Sequence, residues 1–376
     1  MERDARPPRG RGPREVGGER EAPGRGRRER GRAGGRAVIP GGEVRRVLVR
    51  CPNWLGDTVM ALPTIRALSG ALAEAEIWCL GPWTKTLLAE EPGIARRLAV
   101  APSLGGRLRQ ARELRRRPRF DLAVLLTNSF ETGLLAWLAG ARWRLGYAGH
   151  GRRPFLTHAL REPGESRHQV DRYLALLEPL GVRASAVVPT LQPRTEARAT
   201  ARRLLGEVGV GPDTRVVGIA LGAAFGPSKL WPSDRLADLA ACLEARGVAV
   251  VFLGTAAADA LLGAIGARMS EPPRTLVGRD SPALLPALLA ELDVVVAPDS
   301  GPAHVAAAVG VATVTLFGPT DPRLTAPRGA KTTVIWTRPV CAPCFRPRCP
   351  IDHRCLRGVS VEEVAEVVLG RLAGRA

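Results

Sequence analysis

The chain has 376 residues, of which 45% are apolar; at about 100–200 residues per domain this predicts two domains with sizeable cores. A formal charge of +19 and a pI near 11.1 invite a nucleic-acid reading, because clustered cations release counterions from phosphate. No stretch reaches the ~18–20 consecutive apolar residues that span a bilayer, so a soluble or peripheral protein is expected.

The charge distribution weakens the nucleic-acid reading. Residues 1–42 are Arg, Gly, Pro and Glu with hardly an apolar side chain, a composition that cannot bury enough surface to fold. A disordered tail without the apolar run of a secretory signal is expected there. Elsewhere the cations are nearly all arginine, with Lys85, Lys229 and Lys331 the only lysines. The bias to Arg, Ala, Gly and Pro looks like coding pressure, which makes a lysine more informative than an arginine.

From residue 44 the pattern alternates. "VRRVLVRCP" (44–52) reads as a strand, and "DTVMALPTIRALSGAL" after a glycine-bearing turn as a helix. "AEIWCLGP" and "FDLAVLLTN" read as strands, "TGLLAWLAGA" (132–141) as a short helix, and "ARWRLGYAG" into "HGRRPFLTHAL" as loop with strand pieces. Residues 165–182 carry apolar residues at Val170, Tyr173, Leu174 and Leu177 and predict one helix ending at Gly181. The Pro-marked stretch 183–200 is the expected domain connection. A second series of strands and helices follows, through "RVVGIALG", "VAVVFLG", "ELDVVVAP" and "VATVTLFG"; Ser360 with Glu363 then caps a final helix.

Short strands joined by helices pair in parallel with right-handed crossovers. The fold class is therefore α/β. Two Rossmann-like, doubly wound domains should face a cleft, with ligands at the carboxyl ends of the strands. The expected boundaries are 43–190, 191–358 and a closing helix over 359–376.

Three strand-to-helix junctions carry chemistry. In "PNWLGDTVMALP", Gly56 permits a tight turn and Asp57 lies at a helix start. Asp57 either stabilises the helix dipole or projects into the cleft, where a carboxylate takes a proton from an incoming hydroxyl. In "LGAAFGPSKLWPSDRL", Gly222 and its small neighbours let backbone approach a ligand, with Ser228 and Lys229 beside them. Such a loop suits a diphosphate, lysine acting as a point charge; the bland alternative is a polar loop before a helix capped by Ser233. No GxxxxGK[ST] pattern is present, so a P-loop is excluded. In "APDSGPAHVAAAVG", Asp299, Ser300 and Gly301 open a helix and His304 sits one turn on. The free N–H groups and positive end of a helix favour phosphate, whereas Asp299, itself negative, should orient the loop or a ligand hydroxyl. The alternatives are a simple helix cap and a satisfied buried histidine.

"PNWLGDTVMALPTIRAL", "SKLWP" and "APDSGPAHVAAAVGVATVTLFGPTDP", in this order, resemble the ADP-heptose:lipopolysaccharide heptosyltransferases, glycosyltransferase family 9, the type II branch above all. The likeness runs from about residue 45 to 372 and includes "RLGY", "RYLALLEPLG" and "CAPCFRPRCP". It implies a GT-B enzyme that moves L-glycero-D-manno-heptose from ADP-heptose to the inner-core heptose of a lipid A–Kdo acceptor with inversion. By motif position it makes Asp57 the general base and Lys229 the group that neutralises the diphosphate, with Asp299, Ser300, Gly301 and His304 at the donor site, beside the Gly222 and Ser228 loop read above. Family members also use an acidic residue after the "VVFLG" strand; Asp259 is the candidate here, and its role is left open. No DxD-type pair adjoins the donor motifs, so no cofactor and a metal-independent reaction are expected.

The resemblance places the enzyme in the cytoplasm, peripheral at the inner face of the cytoplasmic membrane, as a monomer without a specific nucleic-acid partner. Exposed Arg152 and Arg153 are expected to meet acceptor phosphates or carboxylates. Cys341, Cys344, Cys349 and Cys355 with His353 have spacings compatible with zinc, disulfides or an ordered reduced loop near the acceptor side, the last preferred. Alternatives are a type I or III enzyme acting at another core position, a nucleotide-sugar epimerase, and a basic RNA-binding protein; aromatics at 4% argue against the last.

Overall fold

The computed structural model describes residues 38–164, 166–183 and 187–374. The predicted tail thus lies outside the described residues up to 37, as do 184–186 of the predicted connection. The fold reaches further back than residue 43. Ile39 is 1% exposed in the core, and its N–H donates to Pro179 O at 2.8 Å.

The first series runs β1 (Arg46–Arg50), α1 (Leu55–Ala71), β2 (Glu76–Leu80), β3 (Arg96–Leu98), α2 (Leu104–Arg116), β4 (Leu122–Leu125), α3 (Phe130–Leu138), β5 (Trp143–Tyr147), β6 (His158–Leu160) and α4 (Gln169–Ala175). The second runs α5 (Thr195–Glu207), β7 (Val216–Ala220), α6 (Ser233–Glu244), β8 (Ala249–Leu253), α7 (Asp259–Gly266), α8 (Leu285–Ala290), β9 (Val294–Pro298), α9 (Gly301–Ala308), β10 (Ala312–Phe317), α10 (Pro322–Thr325), β11 (Thr332–Trp336), α11 (Arg354–Arg357) and α12 (Val361–Ala373).

Every pairing is parallel, in the orders β3-β2-β1-β4-β5-β6 and β11-β10-β9-β7-β8. The first is the dinucleotide-fold order, and the second, renumbered from β7, is the flavodoxin-like one. Each has a switch point where successive crossovers diverge and a crevice opens. Those points are β1/β4 and β7/β9.

Strand alternation explains how the layers close. Val47 and Val49 face a core shared with α1, α4 and α9, while Leu48 between them faces a separate core under α2 and α3. In β7, Val216 and Ala220 face the shared core, and Val217 and Ile219 face a third one under α6 and α12. The helices between the sheets, above all α1 of the first half against α9 of the second, therefore join the two halves through one apolar interior. Residues 360–374 form the predicted capped helix, with Ser360 Oγ accepting from Glu363 N at 3.1 Å.

The single helix expected over 165–182 is instead α4 followed by a 3-10 turn, Glu178–Leu180, that ends on Gly181 at φ 74°. Pro179 has no N–H to continue the ladder and disfavours a helical residue before it. His168 caps α4, its Nδ1 accepting from Val170 N at 3.2 Å.

Candidate active site

A cleft of about 850 Å³ opens where the carboxyl ends of the two sheets meet. The loops after β1, β7, β8 and β9 all reach it, those after β7 and β9 flanking the switch point of the second sheet. Its lining brings together Asp57, Gly222, Lys229, Asp299, Ser300, Gly301 and His304.

Two helix N-termini face each other there. A Cβ on Gly56 of α1 would stand 2.7 Å from His304 Cδ2, and one on Gly301 of α9 would stand 2.9 Å from Leu55 Cβ. Glycine is thus required at both positions by close approach. Neither α1 nor α9 has a side-chain cap on its first turn, and the buried Ser300 Oγ has no partner. The first N–H groups of a helix need acceptors from outside it; the α1 end already carries the Asp57 carboxylate in its first turn, whereas the α9 end has no acidic residue there and is the one open to an anion.

Lys229 supplies the cation. Its Nζ lies 2.5 Å from Asp299 Oδ2 and 3.1 Å from Asp299 O, with the Phe225 ring 4.8 Å away. Thr320 Oγ1 donates to the same Oδ2 at 2.7 Å. Asp299 therefore fixes the lysine. The two side chains are 11% and 5% exposed, which makes the pair costly to break from one side.

Asp57 lies across the cleft. Burial holds its carboxyl above the usual carboxylate range, and the Asp299 charge adds to this; the Tyr173 hydroxyl, donating to Oδ1 at 3.3 Å, and Lys229 oppose it. Tyr173 belongs to α4, whose packing on α1 sets that bond. His304 is pushed down to about 4, chiefly by burial, with Lys229 and His168 adding and Asp299 opposing. It is a neutral imidazole near pH 7.

Two expectations are displaced. Ser228 is 3% exposed and turned away from the cleft, its Oγ donating to Arg346 O at 2.6 Å and its N–H to Pro347 O at 3.1 Å. His353 Nε2 meets Ser228 O at 2.6 Å. The Cys-rich segment is thus seated on the loop after β7 in the second half, where a Cβ on Gly226 would come within 2.4 Å of Pro347 O. Cys341, Cys344 and Cys349 are exposed, Cys355 is buried, and all are unpaired. Among the described residues no three His, Cys, Asp or Glu side chains are grouped to hold a metal.

Arg152 is the second displacement. It is 0% exposed, its Nε donating to Tyr147 O at 2.7 Å, its Nη2 to Asn128 Oδ1 at 3.0 Å and its Nη1 to Thr127 O. Burial lowers its pKa to about 10. It staples the β4 and β5 loops together and cannot reach a ligand; Arg153 is exposed. Ser233 is the first residue of α6 and makes no cap bond.

The family model for glycosyltransferase family 9 (heptosyltransferase) matches residues 107–354. The chain belongs to glycosyltransferase family 9. It is 31% identical over 305 residues to lipopolysaccharide heptosyltransferase 2 of Salmonella typhimurium, covering 77% of this chain and 87% of that one. A lipopolysaccharide heptosyltransferase 3 of Escherichia coli is 29% identical over 71% of this chain and 81% of its own. The solved structure of Escherichia coli ADP-heptose LPS heptosyltransferase II superposes with a TM-score of 0.76 at 27% identity, covering 88% of this chain and 99% of that one. The chain is a glycosyltransferase of GT-B fold.

This family 9 site also contains groups that sequence reasoning missed. Trp54, Trp83, Phe225, Thr255 and Asp280 line the cleft, and Tyr173 and Thr320 donate to the carboxylates of Asp57 and Asp299. Asp259, the candidate acid after β8, is exposed at the start of α7, outside the cleft lining, whereas Asp280 is part of it. The position of Asp280 comes from a segment packed beside β8, which no local motif announces.

Proposed function

We propose that this enzyme transfers L-glycero-D-manno-heptose from ADP-heptose to the inner-core heptose of a lipid A–Kdo acceptor, in lipopolysaccharide core biosynthesis. The observation that carries the reading is one cleft with a partly desolvated carboxylate, Asp57, on one side and a cation at an uncapped helix N-terminus, Lys229 beside α9, on the other. Relatives named lipopolysaccharide heptosyltransferase 2 and 3 support heptose transfer, with the type 2 relative matching a longer stretch than the type 3 one.

In the proposed reaction Asp57 accepts the proton of the acceptor hydroxyl. That oxygen attacks the anomeric carbon from the face opposite the diphosphate; the new glycosidic bond forms as the bond to the ADP oxygen breaks, inverting the centre. The charge growing on ADP is met by Lys229, the N–H groups of α9 and the orphaned Ser300 hydroxyl. Gly222 keeps the β7 loop close to the donor, while Ser228 serves by anchoring that loop. His304, being neutral, neither repels Lys229 nor competes with it for the diphosphate. We propose a metal-independent reaction, because these groups already supply positive charge where a divalent ion would act. Transfer from ADP-heptose is expected at an unchanged rate in excess EDTA. A rate abolished by EDTA and restored by a divalent cation would refute that part.

The enzyme is further proposed to work as a monomer at the inner face of the cytoplasmic membrane. No helix among the described residues is long and apolar enough to cross a membrane. Support for a peripheral position comes from the outer face of the first half, where Arg109, Arg112, Arg115 and Arg116 are exposed on α2 beside Leu104 at 56% and, on α3, Phe130 and Trp137 at 48% each. Arginine with partly exposed aromatics suits an anionic lipid surface. The protein should co-sediment with vesicles containing phosphatidylglycerol and not with phosphatidylcholine alone, and Arg109→Glu with Arg112→Glu should release it. Equal sedimentation of the variant would count against this face.

A further inference from the structure

The segment that leaves β10 connects the two sides of the cleft. Residues 320–328 begin at Thr320, whose Oγ1 donates to the same Asp299 carboxylate oxygen that holds Lys229. α10 follows, capped by Asp321 Oδ1, which accepts from Arg323 N at 2.9 Å, and Thr325 at its end lines the cleft. Ala326, Pro327 and Arg328 then reach α4 of the first half. Pro319, Pro322 and Pro327 lock φ along the way, so the connection is stiff.

Two sets of bonds fasten its far end to α4. Arg328 forks onto Asp171, Nη1 to Oδ1 at 2.9 Å and Nη2 to Oδ2 at 2.5 Å. His168 Nδ1 accepts from Val170 N, which leaves the hydrogen on Nε2 to be donated to Ala326 O at 2.9 Å. His168 and Asp171, three residues apart, share one face of the helix. Val170, Tyr173 and Leu174 are buried in the core shared with α1, and there the Tyr173 hydroxyl meets Asp57 Oδ1 at 3.3 Å. α4 is thus wedged between the second half and the base.

A helix of seven residues has little stability of its own, so its orientation is set by what grips its two faces. The Tyr173–Asp57 bond is long for a hydroxyl donor, and a small rotation of α4 breaks it. A bidentate arginine–carboxylate fork fixes angle as well as distance, which is what resists such a rotation.

We propose that Arg328 is a positioning residue for the reaction: through Asp171 it holds α4 in the orientation that keeps the Tyr173 hydroxyl on the Asp57 carboxylate. The 320–328 segment thereby sets the base relative to the Lys229 cation across the cleft. The inference rests on the transferase reading above, in which Asp57 takes the proton, and adds the second-half residue that governs it.

The test follows heptose transfer from ADP-heptose to heptosyl-Kdo-lipid A against pH, for wild type, Arg328→Lys, Asp171→Asn, Tyr173→Phe and the Arg328→Lys/Tyr173→Phe double variant. The charged and titratable groups facing Asp57 are Tyr173 of α4, Lys229 and Asp299 of the β7 and β9 loops, and His304 of α9; His168 faces the Asp171–Arg328 pair. Of these only Tyr173 and Asp171 are altered. Arg328→Lys keeps the charge and loses the fork. It should lower kcat by about tenfold, as displacement of a catalytic group does, and move the acid limb of kcat/KM to higher pH, as Tyr173→Phe does. ADP affinity should stay at the wild-type value, because Asp299 still holds Lys229. Asp171→Asn, made from the other side of the pair, should reproduce both effects. The double variant should show the limb of Tyr173→Phe alone, since two changes acting through one hydroxyl do not add.

Additive limb shifts in the double variant would overturn the proposal, and so would an Arg328→Lys limb at the wild-type position; both leave the transferase reading intact. ADP affinity falling in step with kcat would also overturn it, by making the pair a general support of the fold. Absence of transfer by wild type would refute the transferase reading, and this inference with it.

Discussion

Replacing Asp57 by Asn is expected to lower kcat by about 10²- to 10⁴-fold, the usual contribution of a positioned general base, while KM for ADP-heptose changes little. The amide keeps the shape of the carboxyl and its bond to Tyr173 but cannot take a proton. The loss should not come from unfolding. Burial raises the folded-state pKa of Asp57, so the neutral form is favoured by folding, and the associated stability is lost as pH rises through that raised pKa. An uncharged isostere removes the penalty, so the variant should melt at or above the wild-type temperature near pH 7. For the same reason the acid limb of wild-type kcat/KM should lie above the ordinary carboxylate range. Tyr173→Phe, which removes the hydroxyl that stabilises the carboxylate, should move that limb to still higher pH. A variant that keeps full activity, or a limb unmoved by Tyr173→Phe, would take the proton transfer away from Asp57.

Lys229→Met should act on both binding and stability, and the two can be separated. Loss of a charge-assisted contact of about 1.5–3 kcal/mol predicts ADP binding weaker by roughly 10- to 100-fold. The same change leaves the buried Asp299 carboxylate with Thr320 as its remaining side-chain donor, and stranding one member of a buried pair costs about 3–5 kcal/mol. A lower melting temperature is therefore expected as well. Adding Asp299→Asn removes the stranded charge. The double variant should recover most of the stability but none of the affinity for ADP. If affinity returned together with stability, Lys229 would be a structural cation and the diphosphate would lie elsewhere.

The parts of this site that the sequence made legible are those set by strand-to-helix junctions. Parallel strands buried on both faces read as apolar runs, so the ends of β1, β7 and β9 can be located to within a residue or two. Asp57, Lys229 and Asp299 come soon after those ends, and the cleft receives all three. Side chains whose fate depends on distant backbone were not legible. Arg152 looked like one exposed cation among many, yet carbonyls from the end of β5 and the loop after β4 enclose it. Ser228 has the composition of a phosphate ligand, but the hydroxyl is taken by Arg346 O, 118 positions away. Asp280 reaches the cleft only through pairing at the sheet edge. The helix α2 gave no usable signal, because its exposed arginines resemble the background of the chain and only Ala111 and Leu114 are buried.

The central claim, heptose transfer to an inner-core heptose, is tested most directly by supplying ADP-heptose with purified heptosyl-Kdo-lipid A or Kdo-lipid A, in EDTA, to wild type and Asp57→Asn. The account predicts a product one heptose heavier from the heptosylated acceptor alone, absent with the variant. Transfer to Kdo-lipid A instead would move the enzyme to the first core position, and transfer to neither acceptor would contradict the proposed function.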